Sequence, residues 1–165
     1  MSEQITKILQ KRLTEVDKYG RTTSETRYNS FKEELQYYIL NFIYHHPKYE
    51  RWIMYGGSAL RIIHGLDRMS VDLDFEVSHK ITDDFLSDLK QEIINHFKVT
   101  YGTESDFLTI SITNNRGLKL KFKLDEKLGA GHLSKWVHVK IDLNLFTSNK
   151  AVTDRIPINR DQMSF

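Results

Sequence analysis

The chain of 165 residues has no cysteine and only two prolines. Without cysteine there can be no disulfide and no thiolate metal site, and the chain is compatible with a reducing compartment. Two prolines and eight glycines are too few for a low-complexity or collagen-like chain. No segment approaches the roughly 20 apolar residues of a membrane span. The first residues, "MSEQITKILQKRLTEVDKYG", are charged throughout and lack the apolar centre of a signal peptide. These absences set the expectation of a cytoplasmic protein with no membrane partner. A large charge excess is missing too: 24 basic and 22 acidic residues leave +2. That balance gives no whole-chain argument for nucleic acid, although a local basic patch stays compatible with it. There is no internal repeat. The length suits one domain, which at this size buries roughly two-thirds of its unfolded surface without covalent staples.

What is present reads as helices first and strands later. Ile5, Ile8, Leu9 and Leu13 fall near helical spacing within 3–18. The polar stretch 19–29 reads as a linker, so residues 1–29 form an N-terminal helix and linker ahead of a domain over 30–165. Ser30 with Glu33 has the form of a capping box. Phe31, Leu35, Ile39, Phe42 and Ile43 make one stripe, and Pro47 ends that helix. Residues 51–56 read as a strand. Ser58 is placed to cap a short helix over 59–64, with Gly65 as its stop. Residues 71–77 alternate as a strand, and 81–97 form a helix capped by Thr82. Strand-like runs follow at 98–102, 107–114, 117–124 and 136–147, with a hairpin turn in "ITNNRGLKL" and a further short strand at 152–158. The order predicts an α+β fold: a mixed β-sheet with helices packed on one face and helices at the N-terminus.

The stretch "GGSALRIIHGLDRMSVDLDFEV", residues 56–77, raises a chemical question. On a strand, Asp72, Asp74 and Glu76 share one face while Val71, Leu73, Phe75 and Val77 share the other. Two carboxylates about 7 Å apart repel, and a hard cation between them removes the cost. Mg²⁺ takes oxygen ligands and keeps places for water and substrate phosphates. A solvated strand face with incidental acids is the plainer alternative. The turn at Gly57 and Ser58 has two readings as well, an ordinary strand-to-helix turn or a helix start that binds phosphate. In "WVHVKIDLNLF" the alternation puts Asp142 mid-strand on a polar face with His138, Lys140 and Asn144. If that strand neighbours 71–77, three acids beside a phosphate-binding turn make a two-metal site for nucleotide chemistry. Arg68 can either neutralise phosphate or pair with a carboxylate of the strand, the second being favoured. Lys140 can meet phosphate or an acid. Ser70 reads as a loop hydrogen-bonding residue. Lys119, Lys121 and Lys123 line one strand face, a solvated face or, as the minority reading, an RNA track.

Gly57-Ser58, a short helix, Gly65-Leu66-Asp67-Arg68 and then Ser70-Val71-Asp72-Leu73-Asp74-Phe75 closely resemble the nucleotidyltransferases of the AbiEii/AbiGii toxin family. The resemblance covers about 30–147, with Lys140-Ile141-Asp142 as a weaker third element. It implies a polymerase-β-like nucleotidyltransferase fold. It implies transfer of a nucleoside monophosphate from an NTP, such as ATP, to a hydroxyl of RNA, tRNA or protein. Asp72 and Asp74 would hold Mg²⁺ or Mn²⁺, and Asp142 would complete the metal site and help activate the acceptor oxygen. Gly57 and Ser58 would hold the triphosphate, with Arg68 and Lys140 as further nucleotide-binding residues. The implied setting is a toxin–antitoxin or phage-defence system with a cognate antitoxin. Family members usually continue into a helical region after the third carboxylate, and this sequence stops at Phe165. A minimal form, a fragment and half of an assembly are all compatible with that. The alternative function is a catalytically incomplete nucleotide- or partner-binding module of the same fold.

Overall fold

The computed structural model describes residues 1–20, 23–69, 72–128, 135–146, 152–161 and 163–165. Helix α1 (Glu3–Asp17) opens on Ser2, whose hydroxyl accepts from the Ile5 amide. Helix α2 spans Ser24–His45 and is capped by Thr23, which accepts from the Thr26 amide. It therefore starts inside the stretch expected to be linker. Ser30 is not the cap: Thr23 offers the same chemistry earlier, and the Ser30 hydroxyl bonds back to the Arg27 carbonyl at 2.7 Å.

Strand β1 (Ile53–Tyr55) runs straight into α3 (Gly56–His64). Helix α3 closes on Gly65 in the left-handed conformation, as the sequence predicts. Strand β2 is Asp72–Val77; Ser70 and Val71 lie outside the described residues. Helix α4 (Asp83–Tyr101) has the expected Thr82 cap, with Asp83 and Asp84 at its positive end. It continues to Gly102, whose positive φ terminates it, so residues expected as a strand at 98–102 are helical up to Tyr101. Its apolar stripe simply carries on through Phe97 and Tyr101 into the core.

Strands β3 (Leu108–Thr113) and β4 (Gly117–Lys123) form the expected hairpin. Asn114 and Asn115 both take positive φ, the conformation a tight hairpin turn demands and asparagine tolerates. Strand β5 is Trp136–Leu145. No strand occupies the described part of 152–158. Instead β6 (Asn159–Arg160) and β7 (Met163–Ser164) make a small hairpin just after it.

The main sheet has five strands in the order β1-β2-β5-β4-β3. Only the β2–β5 pair is parallel. Leu73, Phe75, Leu118, Leu120, Phe122, Val137, Val139, Ile141 and Leu143 point to one face and are buried against α2 and α4. Phe97 of α4 sits among Tyr38, Tyr101, Phe107 and Phe122 with ring centroids 5.5–6.4 Å apart, spacing at which aromatic edges and faces attract. The fold is thus α+β with a mixed sheet, and burying one face leaves the polar alternates of the same strands together on the other.

Candidate active site

Pairing across the sheet decides which side chains meet. Asp74 of β2 lies directly opposite Asp142 of β5. Tyr55 of β1 pairs with Asp74, Gly117 of β4 with Asp142, and Thr113 of β3 with Gly117. One line across all five strands therefore reads Tyr55, Asp74, Asp142, Gly117, Thr113. The next line reads Asp72, Lys140, Lys119, Ser111. Paired residues project to the same face, so all three sequence-predicted aspartates and Lys140 share the polar face within two adjacent lines.

Charge follows this geometry. Burial, then the Asp142 and Asp72 carboxylates, push the Asp74 carboxyl above its ordinary range, and Lys140 opposes them. The Lys140 ammonium stands 3.3 Å from Asp142 Oδ2. Lys140 is thus in direct contact with one acid of the group and opposes the shift of a second. Among the described residues, no three histidine or carboxylate groups stand close enough to chelate an ion as they are. The donor set is nevertheless all oxygen, which fits a hard cation, and the raised Asp74 shows that burial and the neighbouring carboxylates outweigh Lys140 at that position.

Two glycines make room for the acids. Gly56 begins α3 with φ +74°, and a Cβ there would lie 3.0 Å from Asp74 Oδ2. The start of α3 therefore meets the acidic line at contact distance. A Cβ on Gly117 would lie 2.6 Å from the Ile141 carbonyl oxygen and 3.0 Å from Asp142 Oδ1. Thr113 Oγ1 is 3.1 Å from the same point, and this hydroxyl is buried without a hydrogen-bond partner among the described residues.

The turn residues are placed differently from the expectation. Helix α3 begins at Gly56 with Tyr55 as its cap residue and no side-chain capping bond, so Ser58 sits inside the first turn rather than at the cap. Ser58 is fully buried, and its hydroxyl donates to the Asp72 carbonyl. That bond fastens α3 to the start of β2. Gly57 is exposed in the same turn. Gly57 can present main-chain N–H to an anion, because the first amides of a helix have no partner within it, whereas Ser58 has no exposed surface and anchors the turn. Arg68 is exposed in the loop before β2, and the favoured ion pair with a strand carboxylate is not formed among the described residues. The loop is held by Arg61, which pairs with Glu33 at 2.9 Å and donates to the Leu66 carbonyl at 2.8 Å.

Other neighbours of the acids were not legible beforehand. Lys32 of α2 is only 7% exposed. Burial lowers its ammonium below the usual lysine range, and the Asp72 charge opposes the shift. Its only signal was a lysine placed next to the apolar stripe of "SFKEELQYYIL". Asn144 donates to the Tyr55 hydroxyl and accepts from Arg116 at 3.2 Å, bridging β1, β5 and the β3–β4 turn beside the acidic line. In the sequence Arg116 is marked only by its place in the hairpin turn.

With this geometry in hand, comparison with known proteins adds one match. A family model described as "Nucleotidyl transferase AbiEii toxin, Type IV TA system" matches residues 39–161, most of the chain. No curated protein and no solved structure matches it.

Proposed function

The chain belongs to the AbiEii nucleotidyl transferase toxin family, and from that premise we propose that it moves a nucleoside monophosphate from an NTP to a hydroxyl of RNA, tRNA or protein. The observation that carries this reading is the register that sets Asp74 opposite Asp142 with Asp72 one line away. Asp72, Asp74 and Asp142 are the residues that would hold Mg²⁺ or Mn²⁺. Bound there, the cation would supply charge stabilisation for the transferring phosphoryl group. The amide of Gly57 at the start of α3 binds the triphosphate, helped by Arg68 and Lys140, while buried Ser58 holds that turn against β2. Asp142 orients the acceptor hydroxyl and takes up its proton. The acceptor oxygen bonds to the α-phosphorus, the α–β bridging P–O bond breaks, and pyrophosphate leaves. The functional partner of such a toxin is its cognate antitoxin. No described helix is long and apolar enough to cross a membrane, and we place the reaction in the cytoplasm.

A second reading has one observation in its favour. The Lys140–Asp142 pair occupies an oxygen of the third carboxylate, which suits a module that binds nucleotide or a partner without turnover. One experiment separates the two. Label transfer from each of the four NTPs to total RNA and to protein is measured for wild type, Asp72→Asn and Asp74→Asn. The transferase reading expects divalent-dependent labelling by wild type and background labelling by both variants. It also expects apo melting temperatures unchanged or slightly higher in the variants, because neutralising one of several clustered acids relieves repulsion. Binding of metal-NTP without transfer by wild type would establish the second reading instead.

A further inference from the structure

Along β5, away from Asp142, the polar face of the sheet turns from acidic to basic. Lys140 and Lys119 lie side by side, with exposed Ser111 beyond them. The next line is His138, Lys121 and Thr109. Trp136 follows, with the Lys121 ammonium 4.5 Å from its ring centre. Burial, then Lys119, Lys121 and Lys32, holds His138 below the usual imidazole range, so lysines carry the charge here. None of these positions on β3, β4 and β5 beyond Asp142 is acidic. The helices α2 and α4 pack on the opposite face, and α2 also borders the basic stretch along β5, where the Tyr28 hydroxyl accepts from the His138 amide at 3.2 Å.

We propose that this basic half of the face, centred on Lys119, Lys121 and Trp136, is a track for a single-stranded polyribonucleotide whose terminal hydroxyl lies against Asp142. The assignment deepens the transferase reading and rests on it for the role of the bound strand, though not for the binding itself. Four lines of chemistry converge. Alternate lysines on one strand stand about 7 Å apart and face outward, a spacing suited to successive phosphates. The Trp136 indole beside Lys121 adds an aromatic surface to the lysines, and base–aromatic stacking is tolerant of sequence once the mobile ammonium moves to a phosphate. The hydroxyls of Thr109 and Ser111 offer hydrogen bonds to phosphate or ribose. The track ends at the carboxylates that the reaction needs, within the roughly 20 Å separating Trp136 from Asp142 along β5. A protein acceptor has no repeating anion to match the lysines and no need of the indole.

The test uses the full chain, a fluorescently labelled oligo(U) strand and no NTP or divalent cation. Fluorescence anisotropy is read over a salt series for wild type, Lys119→Ala/Lys121→Ala, Trp136→Leu and Asp72→Asn, with melting curves confirming that each variant is folded. Wild type is expected to bind with a salt dependence that falls by about 1 in log–log slope in the double lysine variant. Trp136→Leu is expected to weaken binding about tenfold without changing the slope. Asp72→Asn keeps or strengthens binding, since it removes a negative charge beside the track. No binding by wild type at low salt, or folded lysine variants that bind as wild type does, overturns the track. If the strand binds as expected and no transfer is seen in the labelling assay, the track stands and the transferase reading falls. If label goes to protein and never to RNA, and the strand does not bind, the transferase stands and the track falls.

Discussion

Asp74 illustrates how a single residue acquires chemistry from its register. Alone on a strand it would be an ordinary carboxylate. Partly buried, opposite Asp142 and two residues from Asp72, its carboxyl is pushed above the ordinary range. The glycine opposite Asp142 is equally specific. Gly117 cannot take a Cβ without meeting the Ile141 backbone oxygen at 2.6 Å, and backbone yields less easily than a side-chain tip. Gly117→Ala is expected to cost about 1–3 kcal/mol, the range for overpacking, and to push β4 away from Asp142. Urea unfolding reads the cost. A variant as stable as wild type would mean the strands separate freely there, so that the close approach does not constrain the site. At this scale the sequence revealed the acids well, because alternation in "VDLDFEV" and "VHVKIDLNL" assigns faces without any knowledge of partners. It was silent on Gly56, Gly117 and Lys32. Their importance comes from what lies across a strand gap or a helix contact, which local pattern does not encode.

At the scale of elements, strongly periodic segments were legible and their ends were not. The bodies of α2, α4, β2 and β5 and the β3–β4 hairpin follow from stripes and alternation. The starts of α2 and α3 were misplaced because several capping residues competed and the tertiary contact chose among them. Thr23 took the cap that Ser30 could have made. Ser58 has cap chemistry but is buried beneath β2, donating to the Asp72 carbonyl instead. This distinction is measurable. Ser58→Ala removes the donor to a buried carbonyl and is expected to cost about 1–3 kcal/mol. Ser58→Asp would be well tolerated at a true cap. Inside the first turn, buried beside Asp72, it adds another acid to a group of acids that already repel one another and should destabilise more than alanine does. Comparing the denaturation midpoints of the two variants checks the ranking, and an aspartate variant as stable as wild type would restore Ser58 to the cap.

At the scale of the whole molecule, the N-terminal helix and the β6–β7 hairpin are joined to α2 by one ionic network. Glu34 is fully buried and accepts from Arg12 at 2.7 Å and from Arg160 at 2.9–3.0 Å. Arg160 also lies 4.3 Å over the Tyr37 ring. Asp161 receives Lys11 at 2.6 Å and Arg12 in turn. None of this was visible in sequence, since the partners lie between 22 and 150 residues apart along the chain. The Lys11 hydrogen bond, aided by the charges of Arg12, Lys11 and Arg160, holds the Asp161 carboxyl below its ordinary range despite the opposing effect of burial. A carboxylate whose folded value is lowered stabilises the fold above its unfolded value, near 3.9, and loses that contribution as pH falls through the folded value. Asp161→Asn isolates this charge, because asparagine tolerates the left-handed φ of +50° found there. The variant should therefore melt below wild type by a constant margin from pH 7 down to about 5, and the margin should shrink as pH drops below about 4. Melting curves across that range decide the matter. A margin that persists at the lowest pH would trace the loss to packing of the hairpin rather than to the ion pairs that tie it to α1 and α2.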